Sequence, residues 1–143
     1  MLHIHRAGSQ ELRRIFKIDA LVRGDQQRRG HIRRALRDRN CLVAIFDDAL
    51  AGYLIMEQSF FANDFVALLF VAHDYRRRGI GRALMEAAEA SGRTEKIFTS
   101  TNQSNQPMRK LLGKLEYARS GIIYNLDPGD PELVYMKMSK KSR

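Results

Sequence analysis

The sequence predicts a mixed α/β (α+β) fold, in which a twisted, largely antiparallel sheet of about seven strands is flanked by about four helices. Three observations predict it. An apolar run over residues 65–72 meets a basic, glycine-containing turn, then a segment whose alanines and leucines recur at helical spacing. Ahead of that run, three extended stretches follow one another through short connections, as in an antiparallel meander. Around these, segments of period 2 and period 3.6 alternate in the order β-α-α-β-β-β-α-β-α-β-β across residues 1–143, an extent that suits one domain.

Taken in order, residues 2–6 alternate apolar and polar and read as the first strand. His3 and His5 share one of its faces, but no further Cys, His or carboxylate cluster completes a site, so no metal is expected. A helix starts at Ser9 or Gln10 and carries Leu12, Ile15, Phe16 and Leu21 on its apolar stripe. Gly24 and Asp25 interrupt it. The second helix, over 26–38, is anchored by Ile32 and Leu36, and its Arg28, Arg29, Arg33, Arg34 and Arg37 form either a solvated face or the wall of a binding site. Strands at 41–46 and 51–57 flank a turn at 47–50, and residues 58–64 lead into the strand that begins at Phe65. The helix over 80–90 stops at Ser91-Gly92. A strand at 96–101, a polar loop at 102–105 and a helix with Pro107 in its first turn follow; that helix turns Met108, Leu111, Leu112 and Leu115 inward. The last strands, at 121–126 and 132–138, are joined by turn residues, and the tail 139–143 is expected to fray.

Composition bounds the function. A net charge of +9 and a pI near 10.1 favour a polyanionic partner: nucleic acid, anionic lipid or a phosphorylated cofactor. The arginine-rich helix has no aromatic side chain for stacking on bases, which argues against a nucleic-acid reader. Apolar runs fall well short of the roughly 20 residues that span a bilayer, and the N-terminus lacks the pattern of a secretory signal, so neither membrane nor export is expected. Cys41 stands alone, which excludes an internal disulfide, fits the cytosol and reads as a structural thiol.

The basic turn reads Arg76-x-x-Gly79-x-Gly81, with Arg77 and Arg78 beside Arg76. Glycines let successive N–H groups converge, and a helix start adds unpaired donors and the positive end of its dipole, so the place suits phosphate. A dinucleotide fingerprint would need Gly or Ala where Leu84 stands, and the Gly-Lys-Ser/Thr of a P-loop is absent. The pattern resembles the acyl-CoA loop of the GNAT superfamily of N-acetyltransferases, Gln/Arg-x-x-Gly-x-Gly/Ala, and the element order is similar to theirs along nearly the whole chain. The resemblance implies direct transfer of an acetyl group from acetyl-CoA to a primary amine of a small molecule or protein, within a ternary complex. It implies that the main-chain N–H groups of Arg77, Arg78, Gly79, Ile80, Gly81 and Arg82 hold the pyrophosphate, with Arg76 at the Gln/Arg position. Leu69, Phe70 and Val71 would offer main-chain groups to the pantetheine arm, and Asn105, with Asn102 as a weaker candidate, would contact that arm.

One departure touches the chemistry. Many members carry a tyrosine, acting as general acid, where this chain has Leu112. Tyr117 falls at a position that is normally core, and Tyr124 on the next strand is a candidate acid. An ammonium has no lone pair, so a base must deprotonate the acceptor; Glu57 and Asp64 are the candidates. The resemblance assigns the acceptor site to the first two helices and the 127–131 loop, where arginines would suit an acidic acceptor, and it brings a tendency to dimerise. The alternative is a GNAT-like module that binds CoA or nucleic acid without catalysis.

Overall fold

The computed structural model describes residues 1–22 and 24–139. Its strands are β1 (Leu2–Arg6), β2 (Cys41–Phe46), β3 (Ala49–Phe60), β4 (Asn63–Val71), β5 (Lys96–Asn102), β6 (Ala118–Ile123) and β7 (Glu132–Met138). They form a seven-stranded sheet in the order β1-β2-β3-β4-β5-β7-β6. Every neighbouring pair is antiparallel except β4 and β5, which run parallel because α3 connects them. The helices are α1 (Leu12–Ile18), α2 (Gln26–Arg37), α3 (Ile80–Ser91) and α4 (Gln106–Lys114). The expected architecture is the observed one.

Alternation along the strands sorts side chains into two cores. Leu54, Val66, Ile97 and Leu133 face Ile80, Leu84, Met85 and Leu112 of α3 and α4. Val43, Tyr53 and Ile55 face Ile15, Val22, Ile32 and Leu36 on the side of α1 and α2. Cys41 is buried in this second core, and burial pushes its thiol up to about 12, so it stays a neutral apolar side chain at physiological pH.

Each layer is fastened by a buried carboxylate. Asp19, fully buried after α1, accepts from Arg28 Nε at 2.8 Å, from the Leu21 amide at 3.0 Å and from the Tyr53 hydroxyl. This ties the α1–α2 connection and the first turn of α2 to β3. Burial, then the hydrogen bond to Asp19, pushes the Tyr53 hydroxyl far above its usual range. On the other face, Glu89 of α3 accepts from Tyr117 Oη at 3.0 Å and Lys137 Nζ at 2.9 Å. Tyr117 is therefore held in the core, as its position in the sequence suggests.

Several boundaries move. β3 and β4 are longer than expected and meet in a tight hairpin at Phe61-Ala62, both at positive φ (50° and 63°). Such a two-residue turn usually carries Asn or Gly, which is why residues 58–64 read as a connection. β6 begins and ends three residues earlier than expected, at Ala118 and Ile123. Ser139 is buried, its amide bonded to the Glu95 carbonyl at 2.7 Å; the rest of the expected frayed tail lies outside the described residues.

Asp19→Asn should lower unfolding stability by about 3 kcal/mol, because Arg28 is left as a partly buried charge without its counter-ion. The midpoint of urea unfolding checks this.

Candidate active site

The site begins where the sheet comes apart. β4 and β5 pair over three residues only, Asp64, Phe65 and Val66 against Ile97, Phe98 and Thr99, and then diverge. A bulge marks the same level: Val66 pairs with Met56 and Leu68 with Ile55, so Ala67 is the extra residue. Past the bulge, β4 keeps only β3 as a partner. The Ala72 amide donates to the Ala51 carbonyl at 2.7 Å, so by alternation Phe70 turns its main-chain groups to β3, while Leu69 and Val71 turn theirs to the gap. The Phe70 ring lies against Tyr53, with centroids 5.7 Å apart.

The exit of β4 runs into the start of α3. Gly79 is the N-cap in the left-handed region (φ 78°), and Arg77, two residues earlier, is there too (φ 63°). No side chain caps the helix, and its first internal bond runs from the Ala83 amide to the Gly79 carbonyl, 3.0 Å. The amides of Ile80, Gly81 and Arg82 thus precede any intrahelical partner. A Cβ on Gly79 would meet nothing within 4 Å, whereas one on Gly81 would meet Leu111 at 3.5 Å and Leu69 and Val71 at 3.9 Å. Gly81 therefore lies against side chains of β4 and α4, the elements that flank the gap.

The arginines divide their work. Arg76 Nε donates to the Val71 carbonyl at 3.0 Å, and Arg78 lies over the rings of Phe46 and Tyr75 at 5.3 and 5.7 Å. Arg82 pairs with Glu86 at 3.6 Å, while Arg77 is exposed. An uncapped, arginine-rich helix start at the mouth of a gap edged by strand amides fits a ligand with a diphosphate and an amide-bearing arm, as acyl-CoA has.

Residues 9–117 match the acetyltransferase (GNAT) family model. The chain belongs to the GNAT family. It is similar to a GNAT-family acetyltransferase from Bacillus cereus ATCC 10987, with 34% identity over 97% of this chain and 98% of that one, at a TM-score of 0.92. The fold is also shared, at 17% identity, with the ribosomal-protein-S18-alanine N-acetyltransferase of Escherichia coli, covering 97% and 94% of the two chains at a TM-score of 0.77. A GNAT-family acetyltransferase from Streptococcus agalactiae 2603 gives 18% identity, 97% and 96% coverage and a TM-score of 0.77. No curated sequence matches significantly.

Within this GNAT domain, Asn105 caps α4, its Oδ1 accepting from the Met108 amide at 3.2 Å. Asn102 donates to Asp127 Oδ2 at 2.9 Å and the Asp130 carbonyl at 3.3 Å, which binds the end of β5 to the β6–β7 connection. Leu112 is fully buried. Of the five tyrosines, Tyr124 alone is exposed, at 64%.

The two carboxylate candidates separate. Asp64 is fully buried, and its Oδ2 accepts from the amides of Arg93 and Thr94 at 2.8 and 3.0 Å, shaping the turn between α3 and β5. Glu57 instead meets His31 of α2, Nε2 to Oε2 at 2.5 Å, on the wall of a cavity of about 330 Å³ that Arg34 and Asp38 also line. Sequence reasoning missed His31; it lies 26 residues from Glu57, and only the packing of α2 on the sheet joins them. Arg28 and Arg29 of the same helix are held on Asp19 and the Val22 carbonyl, and Arg33 lies over Phe16. Among the described residues no group of three or more Cys, His, Asp or Glu is placed to hold a metal, and no helix is long and apolar enough to cross a membrane.

Gly79→Ala should cost about 1 kcal/mol, from the left-handed backbone alone, since the added methyl meets nothing. Denaturant unfolding of the variant measures it.

Proposed function

We propose that the chain, acting as one domain over residues 1–143, transfers the acetyl group of acetyl-CoA to a primary amine within a ternary complex. The observation that carries the proposal is the parting of β4 and β5 at the bulge, with the uncapped start of α3 at the mouth of the gap. When bound, acetyl-CoA supplies an acyl group already activated as a thioester.

The residues take these parts. The amides of Arg77, Arg78, Gly79, Ile80, Gly81 and Arg82 bind the diphosphate, and Arg77 adds its charge. Arg76 and Arg78, pinned to Val71 and to Phe46 and Tyr75, hold the loop in shape. Leu69 and Val71 pair with the pantetheine amides as a neighbouring strand would, and Phe70 anchors that segment on Tyr53. The Asn105 amide nitrogen reaches the arm while its oxygen caps α4; Asn102 keeps the opposite lip of the gap on the 127–131 segment. Glu57 takes the proton of the acceptor ammonium, directly or through one water, with its carboxylate oriented by His31. Arg34, on the same cavity, is placed for an acidic group on the acceptor. Tyr124 is the tyrosine left to protonate the departing thiolate, which near neutral pH also leaves unaided. The unpaired thiol of Cys41 suits a cytosolic enzyme. The buried Leu112 favours a second reading, in which the same domain binds CoA without turning it over.

Calorimetric titration at about 0.15 M salt, where surface charge is screened beyond roughly 8 Å, tests the cofactor loop. Acetyl-CoA should bind in the micromolar range and ATP only weakly, and Gly81→Glu should abolish the difference. Equal weak binding of both ligands would reduce the loop to a basic turn. Glu57→Gln should lower kcat by about a hundredfold with acetyl-CoA affinity unchanged. Single-turnover rates with saturating amine check that step, and absence of turnover with any amine would leave the binding module.

A further inference from the structure

Four of the seven phenylalanines, Phe60, Phe61, Phe65 and Phe98, lie outside both cores, whereas Phe16, Phe46 and Phe70 pack against them. Register puts the group beside the candidate base. Glu57 is the direct partner of Phe65, and Phe65 the direct partner of Phe98, so the three share the sheet face on which α1 and α2 lie. The Phe60 ring stacks on Phe65 at 4.7 Å and leans on Phe98 at 5.1 Å; the Phe61 ring meets Phe60 edge-on at 5.0 Å and is 84% exposed. Phe61 also holds a left-handed backbone (φ 50°), which is strained for a bulky residue. A half-covered shelf of stacked rings is not a requirement of the fold; contiguous apolar surface of this kind marks binding.

We infer that this shelf seats the apolar part of the acceptor, and that the acceptor is a primary amine borne on an aromatic or similarly large apolar group. The inference rests on the acetyltransferase reading above. Phe65 and Phe98 sit one pair below the last contact between β4 and β5, so the shelf adjoins the closed end of the gap. Glu57, next along the same row, supplies the negative charge for the ammonium, with His31 behind it. An acceptor lying along the row would place its nitrogen at the carboxylate and its apolar arm on Phe65, Phe98 and Phe60. A purely hydrophilic amine would leave the rings in water.

The test compares 2-phenylethylamine, the N-terminally free peptide Phe-Ala-Ala-amide and ethanolamine as acceptors, with acetyl-CoA. Initial rates should give 2-phenylethylamine, the peptide or both a kcat/KM at least about tenfold above ethanolamine, the worth of burying a ring. The two aromatic acceptors separate a free amine from a chain terminus as its source. Phe98→Ala should collapse the ratio toward one, chiefly through KM. Saturation-transfer NMR should carry magnetisation from the protein to the ring protons of 2-phenylethylamine, and less so in Phe98→Ala. Equal kcat/KM for all three acceptors, or a ratio that survives Phe98→Ala, overturns the inference while leaving the transferase standing. A dimer on gel filtration that dissociates in Phe61→Ser assigns the shelf to a second copy of the chain and also overturns it. Failure of acetyl-CoA to bind in calorimetry is failure of the transferase reading; the NMR experiment, run without acetyl-CoA, still decides the shelf.

Discussion

The parallel pairing of β4 and β5 is short, and much else follows from its shortness. Two strands joined by a helix should run side by side to their ends, yet these part after three residue pairs. The extra residue at Ala67 bends β4 at that level, because two residues on one strand facing one on the other increase its local twist. From there the strand ends diverge, α3 starts at one lip and α4 follows the other. In a closed sheet the amides of Leu69 and Val71 would pair with β5; here they edge a gap.

A sheet that opens in its middle needs fastening elsewhere. Asp19 anchors the α1–α2 connection to β3, and Glu89 anchors α3 to Tyr117 and β7. Both are buried and both are satisfied by several donors, the condition under which a buried charge is tolerable. Asp64 does similar service at the closed end, holding the turn that carries α3 into β5. Three carboxylates are thus spent on architecture, whereas Glu57, paired with His31, faces a cavity that Asp38 also lines.

What the sequence made legible was what backbone chemistry demands. Gly79 and Gly81 between an apolar strand and an amphipathic helix announced the loop, and Gly79 does occupy a left-handed cap. Periodicity gave the elements and their order. It could not give the Phe61-Ala62 hairpin, whose residues do not advertise a turn, nor the early start of β6 at Ala118. It also could not pair His31 with Glu57 or line up Phe65 with Phe98, since both depend on packing and register between distant segments. Asp64 and Glu57 looked alike as carboxylates near strand ends; only burial and partners separate them. The arginines looked like one phosphate-binding charge, but cation–π stacking and a carbonyl take Arg78 and Arg76.

The four outlying phenylalanines have a consequence for how such a protein changes over time. Their neighbours are chiefly one another, and neither core closes around them. Exchanging them alters what that surface presents while the packing that keeps the chain folded is left intact. Selectivity and foldedness are therefore written in separate sets of positions, and lineages carrying this scaffold are free to revise the first without renegotiating the second.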